Sequence, residues 1–200
     1  MASSFNLNEQ EKIENKIVVA LERISTSFRV LLCNESKENS LSPIQIQLLI
    51  FLLFHTHEKC KVSYLANEFS LTKATISDSV KVLLQKELVT KIPDEYDTRS
   101  YALQLTSKGR EIAEKSSLFT TALQHPLTAL TTAQKETMLN GLLLLIYDLN
   151  KAGIITIQRM CYTCRNYTQL PDNGHYCKLL QSALHHRELR IDCPEHEPAL

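Results

Sequence analysis

The sequence predicts a mainly α-helical protein with one small β-hairpin. Three observations lead there. Apolar residues recur at spacings of three and four through most of the chain up to Gly153, the period of helices with one buried stripe. Only four glycines and six prolines occur in 200 residues, too few for the turn-rich pattern of a sandwich or barrel. Strand-like stretches are confined to two neighbours, 88–92 and 100–105, with a polar, turn-forming segment between them.

Each element follows from its residues. Ile13, Ile17, Leu21, Ile24, Phe28 and Leu32 form one apolar stripe on a long helix, which the polar stretch 34–40 is expected to end. Ser42, Pro43 and Gln45 then read as a helix start, with a capping serine, a proline at the first helical position and a capping-box glutamine. The helix that follows, 44–54, is apolar on nearly every side and belongs at the centre of a core. Ser63 is expected to cap a short helix over 64–69, and Thr72 a second over 73–86, with Ser70-Leu71 between. Two short helices joined by a tight turn make a helix-turn-helix. On the second of these Ile76, Val80, Leu83 and Leu84 face inward, which leaves Lys73, Thr75, Ser77, Asp78, Ser79 and Lys81 outside.

The stretches 88–92 and 100–105 form a hairpin whose tip, 93–99, protrudes as a wing. Thr106 caps a helix to about residue 123, broken at His125-Pro126. Thr131 and Gln134 open the next helix, whose Met138, Leu139, Leu142, Leu143, Ile146 and Leu149 make a wide apolar face before Gly153 closes it. The expected fold class is therefore a winged helix-turn-helix with long dimerisation helices. Residues 1–40 supply an N-terminal dimerisation helix, 41–110 the winged helix-turn-helix region, 106–153 the C-terminal dimerisation helices and 154–200 a cysteine-bearing tail. The first helix and the last two hold more apolar surface than a small winged domain can hide, the pattern of a homodimer.

Composition excludes several classes. With 44% hydrophobic and 22% charged residues the chain reads as an ordinary globular protein. Its formal net charge is zero, so nucleic-acid binding has to come from local charge. The start, Met1-Ala2-Ser3-Ser4-Phe5, lacks a basic region followed by an apolar core, so no secretion signal is expected. The longest apolar runs fall far below the roughly 18 residues of a membrane span. The expectation is a cytoplasmic protein with no membrane partner. In that reducing compartment six cysteines point to metal or redox chemistry rather than structural disulfides.

The stretch 64–77, Tyr-Leu-Ala-Asn-Glu-Phe-Ser-Leu-Thr-Lys-Ala-Thr-Ile-Ser, resembles the helix-turn-helix of MarR-type regulators. Asp97-Thr98-Arg99-Ser100, followed by Leu103 and the run Leu105-Thr106-Ser107-Lys108-Gly109, is similar to that family's aspartate-x-arginine and leucine-threonine-x-x-glycine pattern. The resemblance covers roughly residues 8 to 153. It implies a dimeric regulator of transcription, usually a repressor, bound to double-stranded DNA and without enzymatic activity. Phosphates supply most of the affinity and base edges the discrimination. Thr72 and Lys73, at a capped helix start, offer backbone N–H groups and a cation to a phosphate. Thr75, Ser77, Ser79 and Lys81 are polar groups suited to a major groove. By the resemblance Arg99 enters the minor groove, oriented by Asp97. Two departures stand out. Asp78 occupies a position where many relatives have arginine, although an acid accepts from a cytosine amino group. Glu87 stands near a helix end where glycine is common, and a left-handed backbone there costs roughly 1 kcal/mol.

After Gly153 the character changes. Cys161-x-x-Cys164 is followed by Cys177 and Cys193, four thiolates that match a closed zinc site or an iron–sulfur cluster. A tail this polar has little core of its own, so a metal would supply folding energy, with 178–189 as a short helix between ligands. Zinc is the leading expectation and an iron–sulfur cluster the alternative; a metal-free dithiol is the third. His175, His185, His186 and His196 lie nearby as substitute ligands, and Cys33 and Cys60 read as small apolar residues. The regulator's signal is then a small-molecule effector or the state of the metal site. Two other readings compete: a thiol–disulfide or electron-transfer protein using Cys161 and Cys164, and a DNA-binding scaffold whose zinc tail binds a partner protein.

Overall fold

A computed structural model describes residues 3–6, 11–94, 100–171 and 174–199. Among the described residues seven α-helices and a hairpin are followed by a small second sheet. They are α1 (Ile13–Asn39), α2 (Pro43–Phe54), α3 (Val62–Glu68), α4 (Lys73–Gln85), β1 (Val89–Pro93), β2 (Tyr101–Leu105), α5 (Ser107–Ser116), α6 (Thr121–Leu127) and α7 (Thr132–Lys151). The tail adds β3 (Tyr167–Gln169), β4 (His175–Cys177) and β5 (Ser182–Leu184), with a 3-10 turn before them at Cys161–Thr163 and one after at His186–Glu188. Strands β1 and β2 form a two-stranded sheet, and β3-β4-β5 form an antiparallel sheet. Among the described residues no helix is long and apolar enough to cross a membrane.

The chain groups into two compact units. One comprises Met1–Phe54, Ser79–Ile92 and Leu103–Ala122; the other comprises His55–Asp78, Pro93–Ala102 and Leu123–Leu200. In the first unit α2 is the centre. Its Ile46, Leu48 and Leu49 are fully buried, as a helix apolar on nearly every side requires, and it packs on α1 and α5. Ser42 and Gln45 form the capping box that starts it, with the Ser42 N–H donating to Gln45 Oε1 at 2.9 Å and the Gln45 N–H to Ser42 Oγ at 3.4 Å.

Several expected boundaries move. Helix α1 runs through the polar stretch expected to end it and stops at Ser40, whose φ of 52° is left-handed. The polar side chains bond back onto the helix instead of breaking it: Ser36 Oγ donates to Leu32 O and Asn39 Nδ2 to Glu35 O, both at 2.9 Å. Ser63 does not cap α3. An antiparallel bridge between Lys61 and Ala102 holds Lys61 extended, so the helix starts at Val62 and Ser63 falls inside its first turn. The helix after Thr106 ends at Ser116, and a 3-10 turn leads into α6, which accommodates Pro126 in its last turn.

At the end of α4 the chain turns tightly. Glu87 is left-handed, with φ at 59°. Thr106 then fastens the corner: its Oγ1 donates to Glu87 O at 2.8 Å and accepts from the Gly109 N–H at 3.0 Å. Gly109 packs so closely on this corner that a Cβ there would lie 1.9 Å from Leu88 O. Only glycine fits.

In the second unit the tail shares its core with α7. Leu143 of α7, Met160 and Leu189 are buried together, flanked by Leu139, Ile146, Tyr162, Tyr167 and Leu184. The helix expected over 178–189 is absent. Residues 182–184 pair instead with β4 (Cys177 opposite Ser182, His175 opposite Leu184), after a reversal in which Gln181 takes a φ of 51°. Capping by Thr131, whose Oγ1 accepts from the Gln134 N–H, and left-handed Gly153 bound α7 as expected.

Two substitutions test the corner after α4. Gly109→Ala should lower stability by about 1–3 kcal/mol through overpacking. Glu87→Gly should raise it by up to about 1 kcal/mol by relieving the left-handed backbone. Urea denaturation followed by circular dichroism checks both, and equal midpoints for all three proteins would contradict the geometry.

Candidate nucleic-acid interface and cysteine cluster

Helix α4 begins with a cap. Thr72 Oγ1 accepts from the Thr75 N–H at 3.1 Å, satisfying one of the helix's orphan donors. Its inward face consists of Ile76, Val80 and Leu83, all essentially without exposure. The opposite face exposes Lys73, Thr75, Ser77, Asp78 and Lys81. Ser79 is the exception. It is 8% exposed, because a residue three after Ile76 and four before Leu83 lies on the inward face, so it is unavailable to a groove. Asp97 and Arg99 lie outside the described residues.

The start of α4 borders a groove of about 280 Å³ lined by Lys61, Val62, Ser63, Lys73, Ser77, Ser100 and Tyr101. It brings Lys73 and Ser77 beside α3 and the base of the hairpin. Lys61 is ion-paired with Asp94 there. Sequence reasoning did not point to Ser63 or Tyr101 at this groove. An aromatic residue opening the strand that returns from a wing was the available signal for Tyr101.

A buried charge cluster escaped sequence reasoning altogether. The Arg159 side chain is 8% exposed and meets two carboxylates. Its Nε and Nη2 donate to Asp192 at 2.6 and 2.9 Å; its Nη1 and Nη2 donate to Glu68 at 2.5 and 3.0 Å. Nη1 also donates to the Tyr64 hydroxyl at 2.9 Å, and His55 Nε2 lies 3.0 Å from Asp192. Every N–H bond of the guanidinium thus has an acceptor. Arg159 holds Asp192 down at a pKa of about 2, with His55 adding to the effect. Close by, Thr156 Oγ1 donates to Asn67 O at 2.5 Å, and its oxygen lies 3.5 Å from Ser70 Oγ in the helix-turn-helix turn.

All six cysteines are free thiols. Cys161, Cys164, Cys177 and Cys193, from three separate segments, line one cavity of about 30 Å³ with no histidine in its lining. The Arg190 N–H donates to Cys161 Sγ at 3.2 Å, and the Cys161 N–H to Arg190 O at 3.0 Å. Burial pushes the Cys161 thiol pKa up; the Arg190 N–H opposes this, and Cys193, Cys177 and Cys164 reinforce it. Among the described residues no three His, Cys, Asp or Glu side chains are grouped as a formed metal site. The cysteines share a pocket without converging on one point. The histidines are engaged elsewhere. Tyr167, His175 and His186 form a chain with separations of 2.7 and 2.9 Å, and His196 bonds Thr163 at 3.0 Å. Burial pushes the Cys60 thiol to about 11, the opposite of a reactive cysteine.

A family model described as the MarR family matches residues 39–100, less than a third of the chain. Solved structures match over a longer stretch. A complex of S. aureus MepR with DNA has 22% identity and a TM-score of 0.57, covering 66% of this chain and 96% of that one. S. aureus MepR in its DNA-binding conformation has 22% identity and a TM-score of 0.59, with 66% and 98% covered. A MarR transcriptional regulator from Methanosarcina mazei Go1 has 19% identity and a TM-score of 0.56, with 67% and 98% covered. No curated protein matches this chain. At these identities the likeness establishes the fold, a mainly helical winged helix with a small antiparallel hairpin.

Truncating the buried arginine tests the charge cluster. Arg159→Ala leaves Glu68 and Asp192 without their cation and should cost about 3–5 kcal/mol. Thermal and urea unfolding, with limited proteolysis of the tail, measure this. A variant as stable and as protease-resistant as the parent would show the cluster to be incidental.

Proposed function

We propose that this chain is a sequence-specific DNA-binding regulator of transcription, acting as a homodimeric repressor, and not an enzyme. The observation behind this reading is the capped start of α4, which presents Lys73 and Ser77 beside the hairpin base on a fold shared with S. aureus MepR, solved in complex with DNA. In the proposed complex the α4 N-terminus and Lys73 hold a phosphate. Thr75, Ser77 and Lys81 meet base edges, and Asp78 accepts from a cytosine amino group. Arg99, with Asp97 beside it, is assigned to the minor groove by the family resemblance. Dimerisation is supported by what single helices leave uncovered. The 27-residue α1 exposes Ile13, Ile17, Val18, Ile24 and Phe28, and α7 exposes Met138, Leu144 and Leu145.

The response to a signal belongs to the same proposal. A cavity of about 720 Å³, with Tyr64, Tyr147 and Tyr162 beside Lys59, Lys151 and His196, has the size and lining for a small organic effector. The four cysteines, as a zinc or iron–sulfur site, offer a second input. The thiol–disulfide reading has less support. A nucleophilic cysteine needs a depressed pKa, and that of Cys161 is raised. Tail and α3 in one unit also suit a scaffold for a partner protein, but an Arg159 cluster joined to α3 favours signalling to DNA.

Fluorescence anisotropy with duplexes selected from a random pool tests the reading. Binding should fall steeply with salt. Lys73→Ala should weaken it on every duplex and reduce the steepness of the log–log salt dependence by about 1, the share of a single neutralised phosphate. Ser79→Ala should change affinity by less than about twofold, since that hydroxyl is buried and its neighbours decide packing. Failure to bind any duplex at micromolar protein would sink the proposal.

A further inference from the structure

We propose that Cys161, Cys164, Cys177 and Cys193 bind a single zinc ion, and that its binding raises the DNA affinity of the helix-turn-helix through Arg159. The regulatory half rests on the DNA-binding reading above. The cysteine pocket itself does not.

The donor set fits the metal. Four sulfurs from three chain segments line one pocket, the number that closes a tetrahedral zinc site. The cavity they enclose is small, about 30 Å³. Its four thiols, with no histidine beside them, suit one thiolate-bound ion. Binding replaces four S–H bonds with four Zn–S bonds and releases four protons to solvent, leaving two net negative charges on the site. The Arg190 N–H already donates to Cys161 Sγ, a bond that strengthens as the sulfur gains charge.

Closing the site moves chain segments that reach the DNA-binding helices. The thiols share a pocket but are not grouped as a formed site, so binding draws their segments together. The Cys193 N–H donates to Arg159 O at 2.9 Å, and Asp192, the preceding residue, is doubly bonded to the Arg159 guanidinium. The same guanidinium grips Glu68 on α3, two residues before the turn that leads to Thr72 and α4. A shift of the 190–193 segment therefore pulls on α3. Fixing α3 removes alternative placements of the helix-turn-helix, and a protein already in its binding arrangement binds with a smaller entropic loss.

The full-length chain is purified under reducing conditions, stripped with a chelator and titrated with cobalt(II), a spectroscopic stand-in for zinc. We expect visible bands of a tetrahedral thiolate complex, saturating at one cobalt per chain and abolished by one zinc. Zinc should raise duplex affinity by fivefold or more over the stripped protein. Cys177→Ser should lose the bands. Glu68→Gln, nearly isosteric, should keep the bands and lose the zinc-dependent gain in affinity. Absence of bands overturns the metal site, and iron with sulfide and a broad band near roughly 400 nm overturns the single zinc. Bands with identical affinity in the stripped and loaded protein overturn the coupling. Normal bands with no duplex binding in either state overturn the DNA-binding reading and, with it, the regulatory half, while the zinc site stands.

Discussion

The second unit is organised around one buried cation. Removing a guanidinium from water costs several kcal/mol, and attraction to a single carboxylate rarely offsets that. Arg159 answers with two carboxylates and a phenol, so that each of its N–H bonds has an acceptor. The arrangement is demanding. It requires 159, 192, 64 and 68 to come together, which means that the tail's first segment, its last segment and α3 take up a single geometry. An apolar contact would tolerate sliding. A doubly bidentate guanidinium does not.

Helix α4 shows how one residue pattern serves two purposes. The positions at 76, 79, 80 and 83 face inward by the helical period, and those between them are left to solvent. The capping threonine adds a polar start and accepts the Thr75 N–H of the first turn. Burial therefore fixes the orientation of the helix, and its outward face is the surface proposed for recognition. A zero net charge is compatible with this, because phosphate binding depends on charge local to the contact.

Local chemistry made much of the fold legible in the sequence. The capping box of Ser42 and Gln45, the caps at Thr72, Thr106 and Thr131, and the left-handed Glu87 and Gly153 are decided by a few neighbouring residues. Long-range pairing was not legible. Arg159 and Glu68 are separated by 91 positions, and each alone looks like a solvated charge. The bridge of Lys61 to Ala102, which displaces the start of α3, is likewise invisible to a local window. The tail failed for another reason. Residues 178–189 have helical composition, but β4 offers an unpaired edge, and the strand Ser182–Leu184 takes it. Ser79 was misjudged by chemistry: a hydroxyl suggests surface, whereas its position in the turn demands burial.

The joint core of α7 and the tail has a consequence for where the chain can be divided. Gly153 is a seam in composition but not in packing, since Leu143, Ile146 and Leu139 lie against Met160 and Leu189. The tail needs no complete apolar interior of its own, because half of one is displayed by the preceding helix. A chain cut at this seam would present the bared face of α7 to water.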